Sequence, residues 1–191
     1  MLQARLDVSA DRNRYVGQYV MTRADQFSPT YGNRYVFSTL EQTLWSATGR
    51  MDWTLNPETT IQLFVQPLLS AVKYHGFKEL ARGRSFDFKE YGIDAGTITR
   101  AAENRWRVDP DDGGPAPAFD VRDDSGNLQS LRGTAVFRWE FRPGSTLFAV
   151  WQARGSENLP YANVRGGDAG ALASVPLDNS FALKIAYRLG R

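Results

Sequence analysis

Residues 131–154, "LRGTAVFRWEFRPGSTLFAVWQAR", alternate large apolar side chains with charges. Leu131, Ala135, Phe137, Trp139 and Phe141 hold one parity, and Arg132, Arg138, Glu140 and Arg142 the other. Alternation with period two is the mark of a β-strand with one apolar and one polar face. The embedded "RPGS" is turn chemistry, so the stretch reads as two long strands joined tightly. The fold turns on which of the two faces meets water.

The same alternation runs outward through the chain. Leu2, Ala4, Leu6 and Val8 oppose Gln3, Arg5, Asp7 and Ser9. "DRN" at 11–13 reads as a turn, 14–25 as a second strand and "FSPTYGN" as a loop. Residues 34–55 are the longest strand, with Trp45, Ala47, Met51, Trp53 and Leu55 on one face. "NPE" at 56–58 is a tight turn, and 59–74 place Ile61, Leu63, Val65, Pro67 and Leu69 against Gln62, Gln66 and Ser70. The long stretch 76–127 reads as irregular, save that "RWRV" and "AFDV" flank "DPDDGGPAP" as a hairpin would. Strand patterns return at 128–142, 145–155 and 180–189, with the Gly/Ala-rich "RGGDAGALASVP" as a loop between the last two. No linker or fixed-period repeat divides residues 1–191, which read as a single β-barrel segment.

Composition narrows the function classes. The chain has 191 residues, 23 basic against 21 acidic, and a formal charge of +2. That balance argues against a nucleic-acid partner. There is no cysteine, and the single His75 excludes multi-histidine metal sites. No apolar run reaches the roughly 18 residues of a membrane-spanning helix. The first residues alternate and do not form a signal peptide, so an export signal is expected outside this sequence.

A soluble barrel or sandwich buries the apolar face; an outer-membrane barrel turns it to lipid and encloses the polar one. Three features favour the membrane. The strands exceed the usual five or six residues of soluble sheets. The connections alternate in length, with "DRN", "NPE" and "RPGS" short and "FSPTYGN", 76–127 and 156–178 longer. In a meander the short ones then share one end, as outer-membrane barrels require. Finally, Trp53, Trp139 and Phe141 stand beside the short turns, where an aromatic girdle belongs. Trp45 lies roughly 20 Å higher on the face of Trp53, near the ~25 Å height of an apolar band. Arg50, Asp52, Gln62, Gln66, Arg132, Arg138, Glu140, Arg142, Lys184 and Arg188 are then expected to face the lumen, since Lys or Arg at the lipid midplane costs roughly 2–4 kcal/mol.

Four blocks carry a resemblance. "SLRGTAVFRWEFRPGSTLFAVWQ" (130–152), "FVQPLLSAVKYHGFKELARGRSFDF" (64–88), "VDPDDGGPAPAFD" (108–120) and "PLDNSFALKIAYRLG" (176–190) are similar to segments of a family of uncharacterised bacterial outer-membrane proteins. These carry an N-terminal carbohydrate-binding-family-9-like β-domain followed by a large C-terminal barrel. The resemblance implies that this chain is the C-terminal part of such a barrel, with the N-terminal domain and earlier strands missing. It also implies outer-membrane lipid and the barrel-assembly machinery as partners, and a link to carbohydrate.

Candidate chemistry is sparse. Asp109, Asp111 and Asp112, with Asp120, Asp123 and Asp124 nearby, offer a weak Ca²⁺ site or a solvated turn. The Arg50–Asp52 and Arg138–Glu140–Arg142 sets read as structural ladders or as the lining of a path for an anionic or sugar ligand. His75 with Glu79 or Asp87 is a poor acid–base candidate. Ser46, Ser70, Ser130 and Ser145 lack a nucleophile-elbow context, and no phosphate or dinucleotide fingerprint occurs. Phe77, Phe86, Phe88, Tyr91 and Trp106 either pack the loop or stack on sugars. The expectation is an all-β, antiparallel, up-and-down outer-membrane barrel segment of roughly eight strands, with 76–127 as a long extracellular loop. Its expected role is transport-related or surface-binding, without catalysis or cofactor. The rival is a soluble β-barrel that binds a small apolar ligand.

Overall fold

The computed structural model describes residues 1–159, 170, 172 and 175–189. Its ten strands are β1 (Leu2–Ala24), β2 (Asn33–Asn56), β3 (Thr59–Leu80), β4 (Phe88–Glu90), β5 (Thr97–Ala102), β6 (Arg105–Asp109), β7 (Phe119–Arg122), β8 (Gly126–Arg142), β9 (Ser145–Leu159) and β10 (Asp178–Ala186). The long strands form one antiparallel sheet in the order β1-β2-β3-β8-β9-β10, and β4 adds to the end of β3. β5, β6 and β7 form a second, three-stranded sheet. The main sheet is not a closed barrel. Among the described residues β1 and β10 each pair on one side only.

Two tight turns join long strands at one end of the sheet. Asn56 Oδ1 accepts the Glu58 amide at 3.0 Å, with Pro57 fixing the bend between β2 and β3. At the β8–β9 turn Gly144 takes φ 75 and its amide donates to Glu140 Oε1 at 2.8 Å. The longer connections, 25–32 and 81–125, lie at the opposite end. The expected loop 156–178 falls largely outside the described residues, although β9 continues to Leu159.

Three expectations need correction. The "DRN" segment is not a turn: Asp11, Arg12 and Asn13 pair with Leu44, Thr43 and Gln42 in mid-ladder. Pairing along the whole of β2 outweighs the local turn preference, as tertiary context does in sheets. The mismatch is taken up instead by bulges on β1, between Tyr15 and Gln18 and between Tyr19 and Met21. The strands expected at 2–9 and 14–25 are one, and the described residues hold ten strands where roughly eight were expected. Nor is 76–127 an irregular loop. β3 runs on to Leu80 through a bulge at Gly76, which takes φ 58. Beyond it the chain builds β4 to β7. The expected hairpin is present, with Arg105, Trp106, Arg107 and Val108 paired to Arg122, Val121, Asp120 and Phe119.

The buried apolar cluster sits where this insertion meets the ends of β2 and β3, with Leu69, Ala71 and Ala153 buried farther along the long strands. Val36, Phe77, Tyr91, Val108, Phe119 and Val121 form it, with Val20, Met21, Tyr74, Ile98 and Trp106 packed against it. The small sheet thus sits as a cap on the outer ends of β1, β2 and β3. Val36 shares its parity on β2 with Gln42, Arg50 and Asp52, so the cap lies on the charged side of the main sheet.

Candidate functional site

Because directly paired residues of an antiparallel sheet share a face, the register shows what each face presents. Leu2, Trp53, Ile61, Phe137, Ala149 and Leu183 form one continuous row across all six long strands. Leu6, Gly49, Val65, Gly133 and Ala153 form a parallel row farther from the short turns, closed on β10 by Asn179. Asn179 is not stranded among apolar neighbours, since its Oδ1 accepts the Trp151 indole at 2.9 Å. Ala10, Trp45 and Leu69 mark the upper limit, where Gln129 and Glu157 already join the row. Above it Arg14, Glu41 and Lys73 take over the same face. The result is one apolar band that reaches the short turns and is bounded by polar rows at its other end. Most of it is open, with Leu6 71% exposed, Trp53 43%, Trp139 45% and Leu183 67%, while Leu69 and Ala153 are buried.

The opposite face carries the charges. Arg50, Asp52, Gln62, Gln66, Arg132, Arg138, Glu140 and Lys184 all fall on it by register. Arg142 and Arg188 instead gather at the β8–β9 turn. Arg142 donates to the Tyr187 hydroxyl at 2.5 Å, and the Arg188 amide donates to Ser145 Oγ at 3.0 Å. Asp52 accepts the Gln62 amide at 2.9 Å, and Arg138 meets Glu140 at 3.2 Å. The alternation does not make this face uniformly polar. Phe64, Val136 and Val150 share it, and the Arg50 guanidinium lies 5.5 Å over the Phe64 ring.

One cluster has no local sequence signature. Arg34, Asp25 and Glu79 come together from three segments and are all buried. Arg34 Nη2 lies 2.8 Å from Asp25, its Nη1 pairs with Glu79, and the Tyr91 hydroxyl donates to Glu79 at 2.9 Å. Burial pushes the Tyr91 phenol well above its usual range, so it stays a donor at neutral pH. This network bolts the cap to β2 and β3. A second one lies inside the cap, where Asp123 accepts the Trp106 indole at 3.0 Å and pairs with Arg100 at 3.0 Å. Burial pushes Asp123 upward. Hydrogen bonds from Ser125 and Trp106, with the Arg100 charge, outweigh it and hold the carboxyl below the usual range.

The remaining candidates are dispersed. Asp109 accepts the Asp111 and Gly113 amides, and Asp111 accepts that of Ala116, so these carboxylates shape the turn. Among the described residues no group of three or more acidic or histidine side chains is placed to hold a metal. His75 faces Glu41 at 3.5 Å, whereas Glu79 belongs to Arg34 and Asp87 to Arg82. Of the loop aromatics, Phe77 and Tyr91 are core and Trp106 packs on it. Phe88 meets Phe37 edge to face at 5.2 Å, and Phe86 is left 89% exposed. No protein-family model, curated protein or solved structure matches the chain.

Proposed function

We propose that this chain is a portion of a bacterial outer-membrane β-barrel, its apolar band toward lipid and its charged face toward the lumen. The single observation that carries the reading is an apolar band, continuous over six long strands, whose large side chains are mostly exposed: Leu2, Leu6, Trp45, Trp53, Val65, Trp139, Trp151, Phe181 and Leu183. A soluble sheet must bury one of its faces to be stable; lipid removes that requirement. The unpaired edges of β1 and β10 support a larger barrel, because a β1 edge 23 residues long is a template that proteins do not leave uncovered. Further strands would close it, with an N-terminal sugar-binding-like domain alongside. The short turns would be periplasmic and the cap extracellular. The role proposed is transport-related or surface-binding, linked to carbohydrate, with the barrel-assembly machinery as the partner in insertion.

The test is fractionation of cells expressing the full-length protein, followed by reconstitution into vesicles of brominated phospholipid. The protein should require detergent for extraction. Bromine should quench Trp45, Trp53, Trp139 and Trp151 and spare Trp106 of the cap. A protein that stays in the aqueous phase with those tryptophans unquenched defeats the proposal and favours the soluble rival.

A further inference from the structure

Arg132 and Arg154 are directly opposite each other on β8 and β9. Their Cβ atoms are therefore ~5 Å apart, a placement that is unfavourable for like charges. Elsewhere on this face such crowding is offset. Arg5 faces Arg50 by register, but Asp7 takes Arg5 at 2.8 Å. Arg138 has Glu140 on its own strand. Arg132 and Arg154 have no ion pair and no side-chain hydrogen bond among the described residues. Even Asp178, paired with Arg154 on β10, makes no ion pair with it. Gln66 flanks Arg132 on β3, and Ser130 and Ser156 form the adjoining row. These side chains line an open cavity of about 700 Å³.

We infer that this cavity binds the oxyanion, carboxylate or phosphate, of a small hydroxylated solute. Two guanidinium side chains rise from one register position into the same cavity, whose lining also includes the Asp178 carboxylate, and each carries paired N–H donors that match an oxyanion bidentately. An anion between them turns a repulsive pair into two attractive ones. Ser130, Ser156 and the Gln66 amide supply neutral donors and acceptors of the kind that hold hydroxyl groups. The inference rests on the proposed lumen only for the solute's route to the cavity; the site itself is made by three adjacent strands.

The experiment is calorimetric titration of the full-length protein in detergent micelles with galacturonate, glucose 6-phosphate and neutral galactose. The charged probes should bind at least tenfold more tightly than galactose. Binding of galacturonate alone assigns a planar carboxylate, and binding of both assigns a general oxyanion site. Arg132→Gln and Arg154→Gln should each weaken binding tenfold or more, while Arg138→Gln, whose charge is already paired, should change it less than twofold. Arg132→Lys should retain part of the affinity, and circular dichroism should show each variant folded. Absence of anion binding, equal affinity for galactose, or an equal loss in Arg138→Gln overturns the inference. Micelle binding does not depend on lipid at the apolar face. A soluble protein that binds would therefore refute only the membrane proposal, and a membrane protein that does not would refute only the site.

Discussion

Val65 is the position at which the orientation of the sheet can be tested most sharply. Its register row, Gly49–Val65–Gly133, is midway between the Trp45 and Trp53 rows. At ~3.3 Å per residue and a ~40° tilt, it stands roughly 10 Å from each, at the middle of the band. The glycines beside it leave Val65 45% exposed, with no side chain to shield a charge. If lipid covers this face, Val65→Lys places an ammonium near the midplane and costs about 2–4 kcal/mol. That is roughly a 30- to 700-fold loss in the folding equilibrium. If water covers it, an exposed substitution of this kind stays within about 0.5 kcal/mol. Thr134→Lys, at nearly the same height on the charged face, is the control and should cost less than about 1 kcal/mol. The assay is reversible urea unfolding of the full-length protein in phospholipid vesicles, followed by tryptophan fluorescence. A Val65→Lys variant as stable as the parent, or a Thr134→Lys variant equally damaged, would refute the assignment of the faces.

Replacing Arg34 with Met leaves Asp25 and Glu79 buried without a counter-charge and should cost the cap about 3–5 kcal/mol; limited proteolysis should then cut within 81–125 while the long strands stay protected. The depressed Asp123 carboxyl stabilises the folded cap above the unfolded value of about 3.9, and that contribution is lost as pH falls through its lower folded value. Trp106 emission should therefore change below about pH 4 in the parent, and much less in Asp123→Asn, which is destabilised at neutral pH. Gly96 takes φ 48, and a Cβ there would overlap the Asp109 carbonyl oxygen. Gly96→Ala should cost the cap more than about 1 kcal/mol, read as a lower thermal midpoint of Trp106 fluorescence.

Period-two patterning located β2, β8, β9 and β10 to within a few residues, because each is amphipathic enough for parity to name its faces. It failed at Asp11–Asn13, where turn-forming side chains lie inside a strand imposed by its partner. It failed again at 76–127, because short strands with mixed burial carry little periodicity, although the hairpin around "DPDDGGPAP" showed through its turn residues. Among the site residues, Arg50, Arg132 and Arg138 were readable from parity alone. The Arg132–Arg154 opposition was not, since it depends on register between two strands and not on the pattern within either. Asp25 and Arg34 flank one loop, but Glu79 lies 45 residues beyond Arg34 and joins them only after folding, so no spacing announces the trio.

Among the described residues the cap grips one half of the sheet. It is fastened to β1, β2 and β3 through Met21, Val36 and Phe77, while Gln152, Arg154, Ser180 and Lys184 on β9 and β10 remain exposed. Under the proposed barrel, a solute arriving from the loop end would then meet the capped flank on one side and the Arg132–Arg154 pair on the other, so the shape of the entrance and the charge of its wall would act as consecutive filters.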